Sequence, residues 1–257
     1  MTTIEAVVFG IAGLIFGSFL TVLVERTPRR ESVVGGRSRC PSCHATIRAR
    51  DNIPVVSWIL LRARCRSCRE RISPEYPLTE IVSGAIFVGS ALAFRDAYVA
   101  GMIGVFLAVL FALALIDYRH RILPNAIIYP SLLAFAVAVV VGAAVGDRVD
   151  LLTAGMGMVA FGGSLLVVAL IAEGSMGMGD VKLAALIGLV LGGLGLRDVA
   201  VAAGLAILTA GVGGIAALVA GRSRKSAIPF GPYLVVGATA AAFWAGPISR
   251  AYLGLVG

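Results

Sequence analysis

Charge is what this sequence has least of. Asp, Glu, Lys and Arg make up 14% of its 257 residues, against about 25% in ordinary soluble domains, while 59% are hydrophobic. A soluble fold with that balance lacks the polar groups to cover its own surface, so lipid must be the solvent for much of the chain. Low-complexity linkers and strict internal repeats are also missing. No G-x-G-x-x-G element follows a predicted strand, so the sequence carries no dinucleotide-type pocket signal. A removable signal peptide is not expected either: the apolar run Ile4 to Val24 exceeds an h-region and has neither a basic n-region nor a small-residue cleavage site before Glu25. It reads as a retained span.

The formal net charge is +8. Its placement excludes a nucleic-acid groove, because the basic residues avoid the apolar runs and gather in a few connections. That is the pattern of topology determinants and anionic-lipid contact.

About 20 apolar residues cross a bilayer as a helix. That ruler predicts eight spans, near 4–24, 79–94, 99–116, 126–145, 152–172, 181–196, 199–220 and 228–247, of which the second and sixth are short. The predicted class is an all-α polytopic membrane protein with a small zinc-ribbon-like cytoplasmic loop domain. Of the 22 Lys and Arg residues, 18 fall in segments 25–78, 117–125, 173–182 and 221–227, which share one side, and 4 on the other. Positive residues mark the cytoplasm, so both termini are expected to face outward. Arg222, Arg224 and Lys225 are read as part of this signal. Gly13/Gly17 and Gly188/Gly192, in small-xxx-small spacing, are expected to be helix-packing sites.

All four cysteines lie in the large loop, as Cys40-Pro-Ser-Cys43 and Cys65-Arg-Ser-Cys68, with 21 residues between the knuckles. Four thiolates so spaced suit a structural Zn²⁺, with a gap slightly above the usual zinc-ribbon template. Disulfides are the rival, but the charge argument puts these residues in a reducing compartment. A loop of this size buries little core, which a metal staple offsets. His44 is read as a bystander.

Asp117 ends the third span, and Asp180 lies in the connection Glu173-Gly174-Ser175-Met176-Gly177-Met178-Gly179-Asp180-Val181-Lys182. Carboxylates beside apolar helix ends are costly and therefore functional candidates. Two that share a site hold one proton between them: the ionised member takes a proton from water and the protonated one polarises a peptide carbonyl. Gly177 and Gly179 would let the backbone approach closely and bend there. Spacing alone is equally compatible with ion pairs of Asp117 with Arg119 or Arg121, and of Asp180 with Lys182. Glu173 reads as a solvated loop charge and His120 as an interfacial residue.

At this point the chain resembles the bacterial type IV prepilin peptidases, bifunctional leader peptidases and N-methyltransferases. The resemblance covers nearly the whole chain. It rests on Gly17-Ser18-Phe19-Leu20 with Arg26 and Pro28; on Cys40-Pro-Ser-Cys43, Asp51-Asn52-Ile53-Pro54-Val55, Ser57-Trp58, Cys65-Arg66-Ser67-Cys68 and Ile72-Ser73-Pro74-Glu75-Tyr76-Pro77; and on Gly177-Met178-Gly179-Asp180-Val181-Lys182 and Ile228-Pro229-Phe230-Gly231-Pro232-Tyr233, in that order. The resemblance implies that Asp117 and Asp180 are catalytic, with Gly177, Gly179 and Lys182 supporting them. It implies prepilin and pseudopilin substrates in a bacterial inner membrane, cut after a glycine that precedes an apolar segment. It also implies methylation of the new N-terminus from S-adenosylmethionine, with Asp51, Trp58 and the cysteines serving either that reaction or only the folding of the loop. The implied organisation is a first span (1–24), a cysteine-rich loop (25–78) and a seven-span peptidase (79–257). Two rival classes are an ion- or proton-coupled transporter, which would need carboxylates near midplane, and a zinc-ribbon membrane adaptor without catalysis.

Overall fold

The computed structural model describes every residue except 1, 34, 36–37, 147, 172–175, 222–228 and 257, and leaves the side chains of 255 and 256 undescribed. Glu173, Arg222, Arg224, Lys225 and the predicted start of the last span at Ile228 therefore lie outside the described residues. Among those described, the regular structure is helical, with only two isolated β-bridges besides. The helices are α1 (Thr3–Arg26), α2 (Val56–Leu60), α3 (Glu75–Ala93), α4 (Ala97–His120), α5 (Asn125–Ala144), α6 (Leu151–Ile171), α7 (Met178–Gly192), α8 (Leu196–Val219) and α9 (Gly231–Val256). Two compact units divide the chain, Met1–Ala112 and Leu113–Gly257.

Among the described residues six helices, α1, α3, α4, α5, α6 and α8, are long and apolar enough to cross a membrane. The predicted sixth and eighth spans, 181–196 and 228–247, fall on α7 and α9, which are helical but outside that group. Helix α7 has 15 residues, about 22 Å at 1.5 Å per residue, short of a hydrocarbon core of about 30 Å. It packs against α5, α6, α8 and α9, and most of it from Val181 onward is buried. A helix enclosed by protein has no need to match lipid thickness. Helix α9 is bent at Trp244. Pro247 stands three residues on, where it removes a backbone donor and crowds the preceding turn. The chain is a multi-pass membrane protein.

Small residues set the closest helix contacts. In the first unit α1 lies along α3, and a Cβ on Gly17 would come within 2.7 Å of the Glu80 Cα. In the second unit Gly157 of α6 and Gly188 of α7 face each other so closely that a Cβ on either would meet the other's carbonyl oxygen. Without a hydrophobic drive between helices in lipid, such backbone approach supplies the packing energy. Gly13/Gly17 and Gly188/Gly192 thus both serve helix contacts.

Candidate active site and metal centre

Helix α4 stops just past Asp117. Arg121 adopts the left-handed conformation (φ 54°) and its N–H closes onto the Asp117 carbonyl at 2.8 Å. Four residues later α5 begins at Asn125. Asp117 is buried, with 6% of its surface exposed, deep enough to require a partner. That partner is the backbone: the Gly231 N–H, at the start of α9, donates to Asp117 Oδ2 at 3.1 Å.

Asp180 lies in the first turn of α7, half-buried, rather than in the preceding connection as the apolar pattern suggests. Gly177 is the N-cap in an extended conformation and accepts a 3.0 Å bond from the Asp180 N–H. The helix dipole favours a carboxylate at that end. Asp180 feels the charge of Asp117, so the fold brings the two candidate aspartates into one electrostatic neighbourhood.

The neighbouring residues have distinct roles in packing. A Cβ on Gly179 would lie 2.8 Å from the Leu123 Cβ, so glycine lets the first turn of α7 approach the α4–α5 turn. Gly177 has room for a Cβ at ordinary contact distance. Lys182 donates to Asn125 Oδ1 at 2.9 Å and sits 4.8 Å over the Tyr129 ring. It braces α7 against α5. His120 is exposed. Gly231, Leu123, Asn125 and Tyr129 were not singled out by the sequence reading. Gly231 stood inside a quoted motif without a role, because a backbone donor has no side-chain signature.

The cysteine module belongs to the first unit. Each knuckle repeats one geometry. The Cys40 N–H bonds the Ala45 carbonyl (3.0 Å) and the Cys65 N–H bonds that of Glu70 (2.8 Å). The residue after each second cysteine, His44 and Arg69, turns left-handed (φ 57° and 63°). Small bridges at Arg39–Thr46 and Arg64–Arg71 close the two loops. The four sulfurs lie within 4.8 Å of one another, and those of Cys40 and Cys68 are 3.7 Å apart. Ligands about 2.3 Å from a tetrahedral ion are separated by about 3.8 Å, so the cage fits a metal ion. Its electrostatics agree. The Cys43 backbone N–H is the main influence lowering the Cys40 thiol to about 7. Although the Glu70 amide lowers it, the Cys68 thiol is pushed up to about 12 by desolvation and the sulfurs of Cys43, Cys65 and Cys40. Four thiolates this close require a cation.

Around the cage, Asp51 takes a bidentate pair from Arg66 (2.9 and 2.6 Å). That hydrogen-bonded guanidinium holds the Asp51 carboxyl below the usual carboxylate range. Trp58 is half-buried and donates to the Ile72 carbonyl at 3.2 Å, a local anchor. The module is tied to α3 by Glu80, a buried carboxylate that accepts the Val55 N–H at 2.7 Å. Val55 has φ 61°, an unusual conformation for a β-branched residue, so this bond fixes a strained turn. An acidic residue at the start of an apolar span was the signal available in the sequence. Glu80→Ala leaves the Val55 amide unpaired and is expected to cost about 1–3 kcal/mol. A thermal melt checks this, and an unchanged midpoint would show that the latch carries no stability.

Residues 11–94 match the Bacterial Peptidase A24 N-terminal domain, and residues 104–219 match the Type IV leader peptidase family. A Bacillus subtilis protein named "Prepilin leader peptidase/N-methyltransferase" is 32% identical over 95% of this chain and 96% of its own length. This chain belongs to the type IV leader peptidase family. A Stutzerimonas stutzeri protein of the same name is 30% identical over 95% of this chain and 92% of its own. The "Type 4 prepilin-like proteins leader peptide-processing enzyme" of Escherichia coli O78:H11 is 32% identical over 90% of each chain. No solved structure matches. Membership in a leader peptidase family makes the chain an enzyme and leaves the transporter and adaptor readings without support. Asp117 and Asp180, as leader peptidase candidates, both fall within the peptidase match, and all four cysteines fall within the N-terminal one.

Proposed function

We propose that this chain is an aspartic endopeptidase that removes the leader from type IV prepilins and pseudopilins, using Asp117 and Asp180. The observation that supports the reading is that two carboxylates, one buried and one half-buried, stand at the ends of apolar helices within electrostatic reach of each other. The pair holds one proton. Its ionised member takes a proton from water as the water oxygen attacks the scissile carbonyl carbon. The protonated member hydrogen-bonds the carbonyl oxygen. When the C–N bond breaks, the proton taken from water passes to the leaving amine. Gly179 and Lys182 support the geometry through Leu123 and Asn125, and Gly177 caps the helix that carries Asp180.

The dyad faces the cytoplasm of a bacterial inner membrane, with both termini outward. The supporting argument is the strong bias of Lys and Arg to one set of connections. A prepilin has a basic leader in the cytoplasm and an apolar helix in the bilayer, so its cleavage site lies at their junction. In this reading the substrate helix docks between spans. The three-part organisation, a first span to residue 24, a cysteine-rich loop to 78 and a peptidase beyond, belongs to the same proposal.

The metal at Cys40, Cys43, Cys65 and Cys68 is Zn²⁺ in a structural role, as the all-sulfur donor set favours. S-adenosylmethionine supplies the methyl group for the new N-terminus. Asp51 and Trp58 are already engaged by Arg66 and the Ile72 carbonyl, so neither is assigned to the methyl donor.

The test is a purified-enzyme reaction with a full-length prepilin and S-adenosylmethionine in lipid, followed by mass spectrometry. A product lacking the leader and carrying one added methyl group is expected. A soluble leader peptide without the apolar helix is expected to be cut far less efficiently, and equal cleavage would sink the docking step. A product cut but never methylated would remove the second activity and leave the first.

A further inference from the structure

Asp117 sits in the last turn of α4, where the helix's own unpaired carbonyls make the field unfavourable to a carboxylate. A buried carboxylate there needs a compensating donor. Among the described residues one donor reaches it, the Gly231 N–H. Gly231 is the first residue of α9, so its amide is one of the orphan donors at the positive end of that helix. Asp117 therefore caps α9 from a helix 114 positions away in sequence.

A second observation is steric. A Cβ on Gly231 would stand 2.6 Å from Asp117 Oδ2 and 3.2 Å from its Cγ. The oxygen that an added Cβ would meet is the same one the amide holds, so the new side chain competes directly with the hydrogen bond. The position thus demands both a free N–H and a bare Cα.

We propose that Gly231 is a positioning residue of the aspartic dyad, its amide fixing the Asp117 carboxylate through Oδ2. The inference rests on the dyad reading above. Gly231 touches no substrate in this role. It acts through Asp117, so its loss changes the reaction step rather than substrate binding. Misplacing a catalytic group by about 1 Å costs on the order of 100-fold.

The experiment compares wild type, Gly231→Ala, Gly204→Ala, Asp117→Asn and Asp180→Asn in prepilin cleavage. Gly204 has nothing within 4 Å of an added Cβ and serves as the control helix substitution. Gly231→Ala is expected to lower kcat about 100-fold with KM within about threefold, while the control stays at wild-type rate. A Gly231→Ala kcat equal to wild type overturns the inference, as does a loss confined to KM. If both asparagine variants still cut, the dyad reading itself falls. If they are dead while Gly231→Ala is fully active, only the role of Gly231 falls. Should Gly231→Ala fail to fold, hydrogen exchange decides. Protection of the Gly231 amide in wild type and its release in Asp117→Ala supports the proposal, and equal exchange in the two overturns it.

Discussion

Asp117→Asn and Asp180→Asn are each expected to lower prepilin cleavage by about 10³-fold or more, with both proteins still folded. General acid–base groups contribute typically about 10²–10⁴-fold, and members of one catalytic unit fail together, so the double variant should be scarcely worse than either single one. Asparagine keeps the size of the side chain and a carbonyl oxygen. At position 117 that oxygen still accepts the Gly231 N–H, so the cap on α9 survives. At position 180 the helix keeps its Gly177 N-cap and the 3.0 Å bond from residue 180's N–H to the Gly177 carbonyl. Loss of rate then reports the carboxyl group and not the fold. Initial rates on a full-length prepilin, with a thermal melt of each variant, check this. Wild-type rates in either variant would remove that residue from the chemistry.

Removing the metal has the second large effect, and its consequence is divided. Structural zinc in small peptides contributes roughly 10–16 kcal/mol of binding free energy at neutral pH, which for so small a module is also its folding free energy. Cys65→Ser, or a strong chelator, is expected to strip the ion and open the knuckles to proteolysis. Methyl transfer should be lost with it. Cleavage should persist within about tenfold, a loss well below the effect of losing a catalytic group, because Asp117, Asp180 and the Gly231 amide all lie in the unit Leu113–Gly257. Acidification should release the metal in the same way. Thiolates bind and thiols do not, so occupancy is full at higher pH and falls as protons compete for sulfur. Metal content by elemental analysis, read beside separate cleavage and methylation rates, is the measurement. Zinc in the wild type at about one ion per chain is expected. A parallel fall of both rates would mean that the cysteine module also shapes the peptidase site.

Local pattern made a large part of this molecule legible. Low charge and long apolar runs identify helices that cross lipid, since hydropathy is read residue by residue against the thickness of a bilayer. The paired C-x2-C knuckles announce a four-sulfur cage, because their spacing is itself the geometry of the chelate. Gly13, Gly17, Gly188 and Gly192 mark helix contacts for the same reason: the absence of a side chain is visible in the letter. At α7 the length ruler registers only a short span. It assumes that lipid is the neighbour, and there the neighbours are α5, α6, α8 and α9.

By itself the sequence determined the class of solvent, the order of apolar helices, and the four cysteines and two aspartates as candidates. Tertiary structure alone decided what those aspartates meet. It turned Lys182 away from Asp180 toward Asn125, pressed Gly179 against Leu123, and tied Val55 to the buried Glu80. It also closed the Gly231 amide onto Asp117 across most of the second unit. These contacts join residues far apart in the chain, and several are made by backbone atoms that every residue carries. No local pattern encodes them, because they exist only once helix packing has placed the donors and acceptors within reach of one another.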